Sequence, residues 1–175
     1  IKIIGLADEL KEEMIHQYGE NSFRLYRLPV PKKGLVTGIL GPNGIGKTTA
    51  IKMLSGTEVP NLGNYENPPS KEEVLKHFAG TELHDYLENV YAGKVRTAIK
   101  PQYVDKLPLS VKGVVRDLLS KVQDRMTVDE AAEIFDLKEV LDRELSKLSG
   151  GELQRLAMAA TMMKEADVYF FDEPT

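Results

Sequence analysis

Hydrophobic and polar positions divide the chain into short strands near both ends and helices between them. An apolar run over residues 36–40 leads into a glycine-rich stretch, and residues 48–55 then carry apolar side chains at helical spacing up to Gly56. Residues 22–28, ahead of a Pro/Gly turn, have the composition of a short strand. We therefore expect a strand, a glycine loop and a helix in that order.

A pair of helices is expected next, over residues 70–93. Ser70 and Glu73 have the spacing of a capping box, and Thr81 is placed to cap the second helix. Residues 95–99 then predict a short strand.

Residues 110–164 have a helical pattern throughout. Ser110 and Thr127 are expected to start helices, and Thr127 has Glu130 at capping-box spacing. A last, longer helix is expected over residues 152–164, where apolar side chains recur every three or four positions.

Composition narrows the class of protein. With 175 residues, 42% of them hydrophobic, the chain is about one globular domain. It has no apolar run near the roughly 20 residues of a membrane helix, and its net charge of -4 limits nucleic-acid contact to a local patch. The absence of cysteine excludes disulfides and cysteine-ligated metals and fits a cytoplasmic protein. Because it lacks an initiator Met and stops directly after a strand pattern, we interpret the chain as a truncated domain.

Residues 41–48 match the phosphate-loop pattern G-x-x-x-x-G-K-[ST] at every fixed position. Glycines let the main chain curl around a phosphate, Lys47 supplies a charge to the β- and γ-phosphates, and the Thr48 hydroxyl suits Mg²⁺. The alternative is a glycine-rich turn with a surface lysine. The predicted nucleotide-binding residues here are Gly41, Pro42, Asn43, Gly44, Ile45, Gly46, Lys47, Thr48 and Thr49.

A second motif closes the chain. Residues 168–171 form a continuous apolar run, typical of a parallel strand buried on both faces, and Asp172 and Glu173 follow it. This pattern predicts a Walker B strand, in which Asp172 binds Mg²⁺ and Glu173 orients or deprotonates the attacking water. Two solvated acids at a strand end are the simpler interpretation.

The third motif is Leu-Ser-Gly-Gly-Glu at residues 148–152. Ser149 and Glu152 have capping-box spacing, so a capped helix is the plain interpretation. Gly150 and Gly151 would then lie in its first turn, where each costs roughly 1 kcal/mol against Ala. Two such glycines suggest that a ligand such as phosphate approaches the main chain closely.

Taken in this order, the three motifs and Gln102 resemble the ABC-type ATPases. The resemblance implies an α/β fold, a P-loop NTPase of ABC type with a RecA-like parallel sheet, a small antiparallel β part and a helical subdomain. It also implies a mechanism in which two such domains enclose two ATPs. Each ATP would lie between the phosphate loop of one domain and residues equivalent to Ser149, Gly150, Gly151 and Glu152 of the other.

The resemblance implies a domain layout as well. Residues 1–175 would be a single nucleotide-binding domain, truncated after the Walker B motif. Residues 1–104 and 165–175 would form the core lobe, residues 105–164 the helical subdomain, and residues 70–93 a helix–loop–helix insertion.

A narrower resemblance is to the first nucleotide-binding domain of the ABC-E family, the ribosome-recycling ATPases also called RNase L inhibitor. The similar segments are residues 18–23, 25–29, 41–48 and 100–105. By this resemblance Gln102 is the catalytic Q-loop residue that senses Mg²⁺ and the γ-phosphate. Tyr18 and Phe23 are candidates for stacking on adenine, and ordinary core packing is the alternative for both.

The ABC-E resemblance implies ATP binding and hydrolysis that drive ribosome splitting, recycling and translation initiation through closure of two nucleotide-binding domains. The implied cofactors are ATP or ADP and Mg²⁺, with iron–sulfur clusters only in an amino-terminal domain that is absent from this chain. The implied partners are the second nucleotide-binding domain, the small ribosomal subunit and a release factor, with no membrane. The truncated chain by itself is expected to be inactive.

Two other functions stay open from the residues alone. The ATPase subunit of a membrane transporter would use the same motifs, and a non-catalytic ATP-binding switch would need only some of them. Residues 103–105 and the insertion favour ribosome recycling, and Glu173 argues against the switch. Residues 70–97 mix acidic and basic side chains, so contact with rRNA rests on the resemblance.

Overall fold

The structure of the chain, a computed structural model, describes residues 14–173. The chain divides into two compact units, Ile1–Val95 and Arg96–Thr175. The phosphate loop belongs to the first unit, whereas Gln102 and the other two motifs belong to the second.

The described part of the first unit, residues 14–95, combines a small antiparallel sheet with three helices. Strands β1 (His16–Gln17) and β2 (Arg24–Leu25) pair antiparallel, with His16 opposite Leu25. The helices are α1 (Lys47–Leu54), α2 (Lys71–His77) and α3 (Glu82–Tyr91). The predicted helix after the glycine loop and the predicted pair over residues 70–93 are thus confirmed, including the Ser70–Glu73 capping box.

Helix α3 is joined to the carboxyl end of α1 by contacts within this unit. The Tyr86 hydroxyl donates a 2.7 Å hydrogen bond to the main-chain carbonyl of Leu54. One Val90 methyl group lies only 2.7 Å from the position that a Cβ on Gly56 would occupy. Gly56 has φ of +77°, so both its conformation and its surroundings require glycine.

The strand predicted over residues 36–40 is not formed. Residues 26–40 contain a turn at Lys33–Gly34 but no strand, and the exposed fractions of Leu35, Val36 and Leu40 are 68%, 102% and 93%. A strand exists only where a neighbouring strand completes its ladder of hydrogen bonds, and an apolar run alone does not supply that partner.

The second unit is built on a parallel strand pair. Strands β3 (Thr97–Lys100) and β4 (Val168–Phe171) run parallel, with Ile99 opposite Phe170. The predicted Walker B strand is therefore confirmed as a parallel strand. Its burial on both faces is not, because Phe170 is buried while its three neighbours in β4 are half-buried.

In residues 96–173, four helices surround two clusters of buried side chains, a large one and a small one formed by Val104, Leu153 and Ala157. The helices are α4 (Leu107–Ser110), α5 (Val115–Ser120), α6 (Val128–Ile134) and α7 (Gly150–Met162). Short 3₁₀ turns occur at Val104–Lys106, Lys138–Val140 and Leu145–Lys147. Fully buried members of the large cluster include Val115, Leu119, Ala131, Leu137, Leu156 and Met163.

Of the three predicted helix starts in this unit, one is wrong, one is confirmed and one is shifted. Ser110 ends α4 instead of starting a helix, since Val111 is extended and α5 begins only at Val115. Thr127 caps α6 through a complete capping box with Glu130. The last predicted helix starts earlier than expected, with Ser149 as its N-cap.

Candidate functional site

The phosphate loop presents an uncapped helix N-terminus. Gly44 and Gly46 have φ of +84° and +93°, and Gly46 is the N-cap of α1 without any side-chain hydrogen bond to the first turn. Four other helices are instead capped by a hydroxyl side chain, namely by Ser70, Thr81, Thr127 and Ser149. A helix N-terminus without a side-chain cap, here at the start of α1, suits an anion such as a phosphate group.

Lys47 spans the loop that precedes its own helix. Its ammonium donates to the main-chain carbonyls of Gly41 at 2.7 Å and Pro42 at 3.0 Å. These contacts hold a positive charge inside the curl of the loop, next to the uncapped N–H groups. The donor set of N–H groups, ammonium and the Thr48 hydroxyl fits a nucleoside triphosphate with Mg²⁺.

Phe23 lies directly over the loop. A Cβ added to Gly46 would lie 2.0 Å from Cζ of the Phe23 ring and 2.8 Å from both Cε atoms. No real Cβ contact is that short, so the ring occupies the space that glycine leaves open. The structure thus brings the predicted aromatic Phe23 onto the phosphate loop itself.

Tyr18, the other predicted aromatic, is half exposed and tied by its hydroxyl. That hydroxyl donates to Oε2 of Glu58 at 3.3 Å and lies 3.3 Å from the Thr49 hydroxyl in α1. Its ring meets His16 edge to face, with centroids 4.6 Å apart. Half of Tyr18 is exposed, which leaves part of its ring accessible to a ligand.

Buried Asn61 forms hydrogen bonds with His16 and Gln17, the strand residues that precede Tyr18. Asn61 donates from Nδ2 to the Gln17 carbonyl at 2.6 Å, and its main-chain N–H donates to Nδ1 of His16 at 3.3 Å. That bond places the His16 proton on Nε2, which faces Oε1 of Glu58 at 3.3 Å. Burial lowers the pKa of His16 below its ordinary value, and the Glu58 carboxylate opposes this shift only in part.

In the second unit, the parallel pair β3–β4 brings Gln102, Asp172 and Glu173 to one edge of the sheet. Lys100 lies opposite Phe171, so Gln102 follows β3 at the edge where Asp172 and Glu173 follow β4. Asp172 is buried, whereas Glu173 is exposed and has φ of +49°. The predicted catalytic and metal-binding acids are therefore close in space to the predicted Q-loop residue.

Lys100 is a residue of this edge that the sequence pattern did not single out. Its side chain is buried, with 1% exposed, and its ammonium donates to the carbonyls of Asp172 and Glu173, both at 3.1 Å. Burial lowers the pKa of Lys100, opposed by the nearby carboxylates of Asp172 and Glu173. A signal was present in the sequence, because strand alternation places Lys100 on the same face as buried Ala98.

The Ser149–Glu152 segment forms a complete capping box. The Ser149 N–H and hydroxyl donate to Oε2 of Glu152 at 2.7 and 2.8 Å, and the Glu152 N–H donates to the Ser149 hydroxyl at 3.3 Å. Arg143 donates to the other carboxylate oxygen at 3.0 Å. Main-chain and hydroxyl hydrogen bonds from Ser149, with the Arg143 charge, lower the pKa of Glu152.

The two glycines after Ser149 leave the helix start uncovered. A Cβ on Gly150 would meet no heavy atom within 4 Å, and one on Gly151 would meet only Nη1 of Arg155, at 3.8 Å. Packing within the unit therefore does not require glycine at either position. Capping, the plain interpretation of this motif, is present, and the glycines add an open surface to it.

A metal site made of protein side chains alone would need a cluster of histidine or acidic groups within residues 14–173. No three histidine or acidic side chains of this range come together in a way that could hold a metal ion. Within the same range, no helix is long and apolar enough to span a membrane.

Comparisons with known proteins agree with the resemblance seen in the motifs. The family described as ABC transporter matches residues 31–175. An uncharacterized ABC transporter ATP-binding protein from Methanocaldococcus jannaschii is 51% identical over 100% of this chain and 29% of its own length. The translation initiation factor rli1 of Schizosaccharomyces pombe is 47% identical over 100% of this chain and 30% of its length.

A solved structure gives the same result in three dimensions. The archaeal ribosome recycling factor aABCE1, crystallised with the archaeal ribosomal stalk protein aP1, superposes with a TM-score of 0.87 at 50% identity. The match covers 94% of this chain and 32% of that one. The chain thus spans about a third or less of these relatives.

The fold predicted from the motifs, a P-loop NTPase of ABC type with a parallel sheet and a small antiparallel sheet, is confirmed. The chain belongs to the ABC transporter family, and within that family it is similar over nearly its full length to ABC-E proteins.

Proposed function

We propose that this chain is the first nucleotide-binding domain of an ATPase that splits and recycles ribosomes. The observation that carries ATP binding is the uncapped N-terminus of α1, beside the Lys47 ammonium inside the loop of residues 41–47. The relatives named as a translation initiation factor and a ribosome recycling factor favour the ribosome over a membrane transporter.

The chain's own residues would divide the work between binding and hydrolysis. N–H groups of residues 44–48 and the Lys47 ammonium would hold the β- and γ-phosphates. Tyr18 would stack on adenine through the accessible part of its ring, with Phe23 closing the loop beside it. Mg²⁺, when bound, would neutralise phosphate charge and orient the γ-phosphate, held by Thr48 and, directly or through water, by Gln102 and Asp172.

Glu173 would orient the attacking water and accept its proton. Ser149, Gly150, Gly151 and Glu152 would act on a second nucleotide, the one held by an opposing nucleotide-binding domain. Their open surface supports this assignment, because the helix start is capped within its own chain yet uncovered above Gly150. The division into a core lobe, a helical subdomain and an insertion at residues 70–93 is part of the same proposal.

The partners follow from the relatives. We propose a second nucleotide-binding domain, the small ribosomal subunit and a release factor as partners in the cytoplasm. An iron–sulfur cluster with cysteine ligands would belong to another part of such a protein, because this sequence has no cysteine.

Nucleotide binding is tested with Lys47→Ala and a matched control in the same helix, Lys52→Ala. Lys52 is exposed, and its ammonium lies 3.8 Å from Oε2 of Glu58. Titration with a fluorescent ATP analogue should show a large loss of affinity for Lys47→Ala and little change for the control. Equal affinities for the two variants would refute the phosphate-loop assignment.

Hydrolysis and the ribosome are tested in the complete polypeptide that carries this chain. Glu173→Gln keeps the shape of the side chain but removes the base, so ATP should stay bound while turnover at this site falls about 10²–10⁴-fold. The same variant with ATP should co-sediment with small ribosomal subunits and accumulate on them. Wild-type turnover would contradict the role of Glu173, and failure to sediment with subunits would contradict the ribosome assignment.

A further inference from the structure

We propose that Lys100 is a positioning residue that fixes the turn through Asp172 and Glu173 and thereby aims the Glu173 carboxylate. This inference rests on the hydrolytic role proposed above for Glu173. It assigns a function to a buried side chain that none of the nucleotide-binding motifs contains.

Within residues 14–173, the hydrogen bonds of the Lys100 ammonium go to main-chain carbonyls. It donates to Asp172 and Glu173, each at 3.1 Å, and more weakly to Pro101 at 3.4 Å. An ammonium has three N–H donors and no acceptor, so three converging carbonyl oxygens match it fully. The side chain therefore joins the ends of β3 and β4 at the point where both strands stop.

The turn that Lys100 holds has an unusual conformation. Glu173 has φ of +49°, in the left-handed region that residues other than glycine seldom adopt. Such a conformation persists only where the surroundings over-determine it. The carbonyls on both sides of the Glu173 Cα are those of Asp172 and Glu173, and Lys100 holds both.

Two simpler roles for Lys100, an ion pair with a carboxylate and apolar packing, do not account for its hydrogen bonds. Burying an ammonium is unfavourable unless its hydrogen bonds are replaced, and an apolar side chain continuing the Ala98 face would avoid that cost. The nearby carboxylates of Asp172 and Glu173 favour the charged ammonium, but the hydrogen bonds that it makes go to main-chain carbonyls. The shape of the turn, and with it the direction of the Glu173 side chain, explains why this position carries a long cationic donor.

The decisive variant is Lys100→Met in the complete polypeptide, with Lys112→Met as control. Methionine fits the apolar path of the lysine stem but cannot donate, and Lys112 is an exposed lysine of the same unit. We expect the Kd for ATP to stay within about twofold, because Lys100 is not part of the phosphate loop. We expect kcat to fall about 10²-fold, the effect of misplacing a reacting group by about 1 Å. The control should match wild type in both.

A crystal structure of Lys100→Met without nucleotide gives a readout that does not depend on activity. Glu173 should leave the left-handed region, with its carboxylate displaced. Lys100→Gln, which keeps two N–H donors without charge, should restore part of kcat and the left-handed turn. If Lys100 only stabilised the fold, its replacement would instead lower stability and ATP affinity together.

The outcomes separate this inference from the proposed function. If Glu173→Gln slows hydrolysis but Lys100→Met has wild-type kcat, the positioning role is wrong and the function stands. If the Glu173→Gln variant hydrolyses ATP at the wild-type rate, the proposed function of Glu173 is wrong. The positioning role of Lys100 is then wrong as well. A left-handed Glu173 in the Met variant also overturns the inference. If the Met and Gln variants both fail to fold, Lys100 is a stability residue and the inference is wrong.

Discussion

Replacing Gly46 by alanine tests the contact between Phe23 and the phosphate loop. Gly46 has φ of +93°, and its added Cβ would lie 2.0 Å from the Phe23 ring. Gly44 is the matched control, because it has φ of +84° but no heavy atom within 4 Å of an added Cβ. The two substitutions therefore share a backbone penalty and differ in one steric clash.

The magnitudes follow from these two terms. A left-handed backbone costs an L-residue about 1–2 kcal/mol, which is the whole expected loss for Gly44→Ala. Overpacking against the ring adds about 1–3 kcal/mol, so Gly46→Ala should lose about 2–5 kcal/mol. That is a large share of the roughly 5–15 kcal/mol by which domains are stable.

The assay is urea unfolding followed by circular dichroism, with midpoints compared at constant m-value. A third variant, Phe23→Ala with Gly46→Ala, removes the clash but keeps the backbone penalty. The cost of Gly46→Ala in that background should fall by about 1–3 kcal/mol, down to the cost of Gly44→Ala. Equal destabilisation by Gly44→Ala and Gly46→Ala in the wild-type background would refute the packing of Phe23 on the loop.

Two further predictions concern the pH dependence of stability and a helix cap. The folded-state pKa of His16 lies below its ordinary value of 6.5, so the unfolded chain binds more protons as the pH falls through that value. Stability should therefore decrease from pH 7 to pH 5, and His16→Gln should flatten the slope of Tm against pH; parallel slopes would contradict this. Ser149→Ala should cost about 0.5–2 kcal/mol in urea unfolding because it removes the capping box of α7. Ser146→Ala, at an exposed serine that caps no α-helix, is its control, and equal midpoints for the two variants would count against the cap.

Local signals in the sequence predicted local structure well. The capping boxes begun by Ser70, Thr127 and Ser149 all form, because each depends on two residues three positions apart. Ser110 shows the limit of that approach. A serine ahead of a helical pattern does not cap a helix when the residue that follows it is extended, as Val111 is.

Predictions that depend on distant partners did less well. The run at residues 36–40 has the apolar composition of a strand, but composition does not supply a pairing partner. The role of Lys100 was missed for a related reason. Its three carbonyl acceptors include two residues more than 70 positions away, which become neighbours only when β3 and β4 pair.

The hydrogen bond from Tyr86 to Leu54 has a consequence for how the first unit opens. Hydrogen exchange reports proteins opening in cooperative segments, and a segment's boundaries follow its buried contacts. The carboxyl end of α1 is fastened to α3 by Tyr86 and by Val90 against Gly56. The last turn of α1 should therefore open only together with α3, so the amides of these two segments should exchange at similar rates.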